Sequence, residues 1–283
     1  MSKILEFFGL PTHLQTNVDW SAVVGEQRCP YLQRTCLKTR KSEPDIAIGT
    51  CTLLYGRQKP TPVMICPFRL LERRQIFTDC IHLLSLHEPG NELHIVPQIS
   101  IPGGSVDYFL VSARMGKVVD FVGIELQTLD TTGTVWPERQ RFLEAQGVPT
   151  NDEDKTLSKS FGMNWKMTAK TTLIQLHHKI PTFEQMGKHL VLVLQDVFLG
   201  YMRNEFQFSH LNTARIGDPM HIHAYGIHST ADSPFRIRLG ERLSTDTAGV
   251  ARCLGLQAET DVELQEIVQL LEAKLSDNTL LTL

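Results

Sequence analysis

A chain of 283 residues, 42% of them hydrophobic, is long enough for one large domain or a core with a smaller appended module. No apolar run is long enough to span a bilayer, and Met1–Trp20 lacks the basic start and apolar stretch of a secretory signal, so a cytoplasmic protein without a membrane partner is expected. A net charge of -3 argues against indiscriminate, charge-driven nucleic-acid binding.

The charge is unevenly spread. Residues 27–74 carry ten Lys or Arg against three acids, residues 155–190 carry six Lys against one Glu, and the tail from Gln257 carries six acids and one Lys. Basic segments in an acidic chain are either solvated faces or a local site for a polyanion.

In chain order, Cys29–Pro67 is rich in turn residues, polar groups and cysteine, and reads as a loop-dominated module needing something besides a core to hold it. Pro67 suits the first turn of a helix, and Phe68, Leu71, Phe77, Ile81 and Leu84 then approximate one helical face. The boundary divides a cysteine-rich module, 1–67, from a larger domain, 68–283. Strands are predicted at Leu93–Ile101, Val106–Val111 and Val118–Gln127, with Arg114–Lys117 as a hairpin turn between the last two. Trp165–His189 has helical periodicity through Met167, Leu173, Leu176 and Ile180, with an interruption expected at Pro181. Leu190–Leu194 has the continuous apolar character of a buried strand. Asp261–Leu275 reads as an amphipathic helix. Together these predict a mixed α/β core.

Asp107 stands at the mouth of one apolar strand, and Glu125 and Gln127 lie two apart on the next, where they share a face. With a turn centred on Gly116, Asp107 faces Glu125; a slip of one residue would separate them. Two carboxylates converging with a backbone carbonyl make a hard oxygen site suited to Mg²⁺, able to polarise a phosphodiester and activate water. The same residues also suit an ordinary half-exposed hairpin.

Val106-Asp107 followed by Glu125-Leu126-Gln127 resembles the PD-(D/E)XK nuclease signature. With Gly103–Gln127, Asn164-Trp165-Lys166-Met167 and Gln175-Leu176-His177-His178-Lys179, and with the cysteines before them, the chain resembles more specifically the NotI restriction endonucleases, over about residues 29–230. The resemblance implies a PD-(D/E)XK core, a mixed central sheet flanked by helices, with Asp107 and Glu125 as Mg²⁺ ligands. Gln127 stands where the wider superfamily has Lys. Its amide can orient water but cannot act as a conventional base, which leaves the proton acceptor open.

Cys29, Cys36, Cys51 and Cys66 precede the hairpin, with Cys80 and Cys253 apart. Clustered cysteines in a cytosolic chain favour a metal over disulfides, and four thiolates suit zinc or iron; ordinary buried thiols are the other reading. The resemblance implies a structural iron on these four cysteines, with zinc or an iron–sulfur cluster as alternatives. His221-Ile222-His223 is a possible ligand pair on one strand face, but no ligand spacing completes it or His177-His178. Candidate DNA contacts are Arg139, Arg141, Lys166, Lys170, His177 and Lys179, and Arg236, Arg238 and Arg242 have suitable chemistry for base edges.

The resulting expectation is a type II restriction endonuclease of a restriction–modification system, a homodimer on double-stranded DNA, because two-fold symmetry matches a palindromic site. The alternatives are a defence or repair nuclease without strict sequence choice and a metal-stabilised DNA-binding module with structural carboxylates.

Overall fold

The computed structural model describes residues 2–13, 18–56, 58–150, 161–228 and 235–256, with residues 268, 269, 272 and 273. Strands β1 (Ile4–Phe7), β2 (Leu10–Pro11), β3 (Thr50–Tyr55) and β4 (Thr61–Met64) form a small sheet in the order β2-β1-β3-β4. Two short ladders, Arg28–Cys29 with Arg34–Thr35 and Thr39–Arg40 with Glu43–Ala47, carry the basic, cysteine-bearing turns. This region has more of a core than its composition suggests. Ile4, Phe7, Leu53 and Val63 are buried, and Phe7 and Trp20 pack edge-on against Phe142 at 5.5 and 5.0 Å. The strands are short and widely separated, so no periodic signal marks them.

The helix expected over 68–84 is broken into two 3-10 turns, Pro67–Arg74 and Ile81–Leu83, around one α-turn, Gln75–Thr78. Arg73 and Arg74 adopt φ of +51° and +56°, which a helix does not permit. The expected apolar side chains Leu71, Phe77 and Leu84 are nevertheless buried.

The main sheet contains β5 (Glu92–Ile101), β6 (Gly104–Arg114), β7 (Lys117–Gln127), β8 (His189–Gln195), β9 (Asn212–Thr213), β10 (Met220–His228) and β11 (Arg236–Thr245). Their order is β9-β11-β10-β8-β7-β6-β5. β8 runs parallel to β7 and β10; the other pairs are antiparallel. Helices α1 (Trp136–Ala145), α2 (Trp165–Gln185), α3 (Asp196–Glu205) and α4 (Thr247–Cys253) complete the described elements used below.

β8 explains its own sequence. Leu190, Leu192 and Leu194 pack with Leu173, Leu176 and Ile180 of α2 and Phe198 of α3, while Val191 and Val193 pack with Leu70, Ile76, Phe77 and Leu83 on the opposite face. A strand covered on both faces needs an unbroken apolar run. α2 continues through Pro181 to Gln185. Proline costs a helical hydrogen bond, but fully buried Ile180 and Phe183 hold the turns on either side against the sheet. The helix expected over 261–275 lies outside the described residues apart from four positions.

Two buried polar clusters join the small sheet to the large one. The Gln195 side chain, at the end of β8, accepts from Met64 N at 2.8 Å and donates to Pro62 O at 2.8 Å. Arg69, fully buried, donates to Glu6 at 2.8 Å, Glu72 at 3.0 Å and Phe235 O at 3.1 Å.

Candidate active site

The β6–β7 hairpin decides which acids meet. Its turn is a two-residue turn with Met115 and Gly116 at φ +50° and +72°, the primed geometry that suits a twisted hairpin. Arg114 pairs with Lys117 and Ala113 with Val118, and continuing that register would place Asp107 opposite Ile124. Ser112 instead pairs with Asp120, leaving Val119 as a bulge, and the pairing then runs to Tyr108–Ile124. Continued one residue further, this register puts Asp107 opposite Glu125. The expected juxtaposition is therefore reached by a tighter turn plus a bulge, in place of a turn centred on Gly116.

Beyond Tyr108–Ile124 the Asp107 side chain takes over from the backbone ladder: its Oδ2 accepts from Leu126 N at 2.9 Å. Glu125 points toward α2, where Lys179 Nζ donates to its Oε1 at 2.6 Å. The two side chains are 13% and 7% exposed. Burial pushes the Glu125 carboxyl up to about 7, and the Asp107 charge adds to the rise against the lowering effect of Lys179. Gln127 lies on the same strand face, with its amide donating to Thr128 O at 2.6 Å.

The Gly103-Gly104 turn makes the Lys179 contact possible. Pro102-Gly103 form a tight turn with Gly103 at φ +93°, and a Cβ there would fall 2.1 Å from His178 O. A Cβ on Gly104 would lie 3.0 Å from Lys179 Cε, so bare backbone lets α2 approach the turn closely. Thr182 Oγ1 donates to Pro102 O at 3.0 Å and clamps the same junction.

A groove beside Asp107 is lined by Arg34, Leu37, Phe68, Gln98 and Tyr108, and a neighbouring one by Lys38, Cys66, Gln127 and Asp130. Arg34 is exposed. Sequence reasoning missed Arg34 and Lys38 individually; their only signal was membership of the basic segment 27–74.

All four cysteines of the N-terminal region are buried and free. Burial raises the Cys29 and Cys36 thiols, and each is raised further by the charge of Cys66. A hydrogen bond from Cys51, with Lys38 and the N–H groups of Phe68 and Arg69, lowers Cys66 to about 7. Among the described residues, no group of three or more His, Cys, Asp or Glu side chains is arranged to hold a metal ion.

The remaining candidates separate by exposure. Lys166 pairs with Glu205, Arg141 pairs with Glu138 at 2.7 Å, and both are exposed, as is Lys170. His177 is half-buried. Arg139, expected at DNA, points inward: it is 3% exposed, donates to Ile48 O at 3.1 Å and stacks on Trp136. Lys179 is likewise turned inward, onto Glu125. Arg236 pairs with Glu72 at 2.6 Å, while Arg238 and Arg242 are exposed. His221 and His223 are buried beside His189 and His82.

Comparison with protein families identifies the chain as a restriction endonuclease. The profile described as Restriction endonuclease NotI matches residues 26–218, which spans the four cysteines, both carboxylates, α2 and β8. The chain belongs to the NotI restriction endonuclease family. It is thus a sequence-specific type II restriction endonuclease, a site-specific deoxyribonuclease with DNA as its substrate, and such enzymes are generally Mg²⁺-dependent. No curated protein matches the chain. Among the described residues, no helix is long and apolar enough to cross a membrane.

Proposed function

We propose that the DNA-cleaving centre is built on Asp107 and Glu125, with Gln127 beside them, in a PD-(D/E)XK core. The observation that carries this reading is the bulged β6–β7 register, which runs to Tyr108–Ile124 and, continued by one residue, brings Asp107 opposite Glu125, whose carboxyl feels the Asp107 charge. The order of elements supports it: helical turns, three antiparallel strands, helices α1 and α2, then a strand parallel to the third.

The donor set fits Mg²⁺. Both acids offer hard carboxylate oxygens, and Glu125 already holds one cation, the Lys179 ammonium, at 2.6 Å. When bound, Mg²⁺ supplies Lewis acidity to the phosphodiester and lowers the pKa of water. The protein's own part is positional. Leu126 N fixes the Asp107 carboxylate, Lys179 fixes that of Glu125, and Gln127 contributes an uncharged amide that orients but does not take a proton. Arg34, Arg141, Lys166, Lys170 and His177 offer donors for the DNA backbone around this centre.

Residues 1–67 are read as a metal-braced module on the endonuclease domain 68–283, with Cys29, Cys36, Cys51 and Cys66 holding a structural iron, or else zinc or an iron–sulfur cluster. Support comes from the chemistry of four buried soft donors: Cys51 hydrogen-bonds Cys66, and the charge of Cys66 raises the Cys29 and Cys36 thiols. Metal analysis and an absorption spectrum of fresh protein test it: metal should disappear with Cys66→Ser and be indifferent to Cys80→Ser or Cys253→Ser. A homodimer, one centre per strand, follows from the symmetry of a palindromic site, and sedimentation with cut DNA checks it.

The central test is cleavage of assorted plasmids with Mg²⁺, followed by sequencing of the ends. Asp107→Asn and Glu125→Gln should each lower the rate by about 10³-fold, with DNA retention in Ca²⁺ preserved. Full cleavage by either variant would remove it from the centre. A smear in place of discrete fragments would overturn the sequence-specific reading.

A further inference from the structure

We propose that Lys179 is the cationic member of the cleavage centre, supplied from helix α2 in place of a charge at position 127. This rests on the reading that Asp107 and Glu125 form that centre. In DNA-free protein the Lys179 ammonium occupies the cation-binding edge of Glu125; with DNA and divalent ion present it faces the scissile phosphate.

Position explains why this lysine differs from its neighbours. The buried positions of α2 are Thr168, Ala169, Thr172, Leu173, Leu176, Lys179, Ile180 and Phe183, so Lys179 lies within the stripe that packs on the sheet, whereas Lys166 and Lys170 lie on the exposed side. Burying an ammonium is costly without a hydrogen-bonded counter-charge. The counter-charge here is Glu125 Oε1 at 2.6 Å, the side chain to which the metal-ligand role is assigned.

The surroundings hold the lysine for that purpose. The Gly103-Gly104 turn that leads into Asp107 omits two Cβ atoms at the place where α2 passes, with the Lys179 stem 3.0 Å from the position of one of them. Thr182 fastens the helix to the same turn at 3.0 Å. One junction thus sets the height of Asp107 on β6 and of Lys179 on α2. Gln127 contributes no charge, and its amide is engaged by Thr128 O at 2.6 Å. A dianionic transition state beside two carboxylates needs positive charge, and Lys179 is the ammonium that touches one of those carboxylates.

The test compares Lys179→Met, Lys179→Gln and Lys179→Arg with Glu125→Gln, using a plasmid that the wild type cuts. Three measurements are made: single-turnover cleavage with Mg²⁺, retention of the mapped plasmid fragment in Ca²⁺, and Mn²⁺ affinity of the DNA-free protein by paramagnetic titration. Lys179→Met should cleave about 10²–10³-fold more slowly, retain DNA within about threefold, and bind Mn²⁺ more tightly because the competing ammonium is gone. Lys179→Arg should recover about tenfold or more of the lost rate. If Lys179→Met is unfolded, Lys179→Gln carries the same comparison, and a greater rise in Tm with Mn²⁺ than in the wild type supports the proposal. Wild-type cleavage by a folded charge-removing variant overturns it, as does loss of DNA retention in step with rate, or weaker Mn²⁺ binding. If Glu125→Gln also cleaves at full rate with unchanged Mn²⁺ binding, the assignment of the centre itself has failed; if Glu125→Gln is inactive while Lys179→Met is not, the Lys179 role alone has.

Discussion

Gly103 is the residue on which the site's geometry turns most sharply. It combines φ of +93° with a Cβ position 2.1 Å from the His178 carbonyl, so any side chain meets both backbone strain and a clash. Gly103→Ala should destabilise the fold by about 2 kcal/mol or more in urea unfolding and lower cleavage further by displacing Lys179 from Glu125. A neutral result would mean that α2 is free to shift. His221 and His223 make the second residue-scale prediction. Burial lowers the pKa of both, His221 to about 4 with His189 and His82 adding to the fall, and His223 to about 3 with His221, Arg242 and His82 adding. An unfolded histidine titrates near ~6.5, so the unfolded chain binds more protons below that pH. Stability should be full above ~6.5 and fall toward pH 4, by about 1.4 kcal/mol per pH unit for each histidine. Glu125, raised to about 7, has the opposite sign, since its protonation relieves the folded state. The urea series is therefore run without divalent metal in a Glu125→Gln background. A flat profile between pH 6.5 and 4.5 would refute the assignment of neutral buried histidines.

At the scale of elements, the β6–β7 hairpin was legible in its alternation and its Met115-Gly116 turn, but the route to its register was not. Sequence periodicity cannot distinguish a turn centred on Gly116 from a two-residue turn followed by a bulge, because both bring Asp107 opposite Glu125. The bulge makes a distinct prediction. Removing Val119 leaves Ser112 opposite Asp120 and keeps the register, so a Val119 deletion should cleave within about tenfold of the wild type. Loss of cleavage in a folded deletion protein would show that the local twist matters beyond register. The segment 67–84 shows the converse. Its apolar positions predicted burial correctly, yet the regular helix is absent, because Glu72 leaves helical geometry and there takes hydrogen bonds from Arg69, Arg236 and Ile237 N at 3.0, 2.6 and 2.8 Å. Pro181 was expected to break α2 and does not, since packing on the sheet outweighs one missing hydrogen bond.

At the scale of the molecule, the small N-terminal sheet is fastened to the main one through charge. Glu6, Arg69 and Glu72 are each less than a tenth exposed and linked by charge-assisted hydrogen bonds. Arg69→Met would leave two buried carboxylates without their shared partner, at a cost of about 3–5 kcal/mol, and urea unfolding should register it, while the exposed Arg141→Ala stays within about 0.5 kcal/mol of wild type. Equal effects for the two would remove the network from its joining role. What the sequence by itself determined is what local periodicity and composition can carry. These are a mixed α/β core, the central apolar strand at 190–194, the hairpin that carries Asp107 and Glu125, and a basic, cysteine-bearing N-terminal region. Only the tertiary structure decided which charges face inward. Lys179 and Arg139 read in sequence like any other basic residues, but one closes on Glu125 across 54 positions of chain and the other on Ile48 across 91. The physical reason is that a charge is placed by the element that buries it and by the counter-charge or carbonyl that offsets its desolvation. Both come from distant segments, and no local pattern records them.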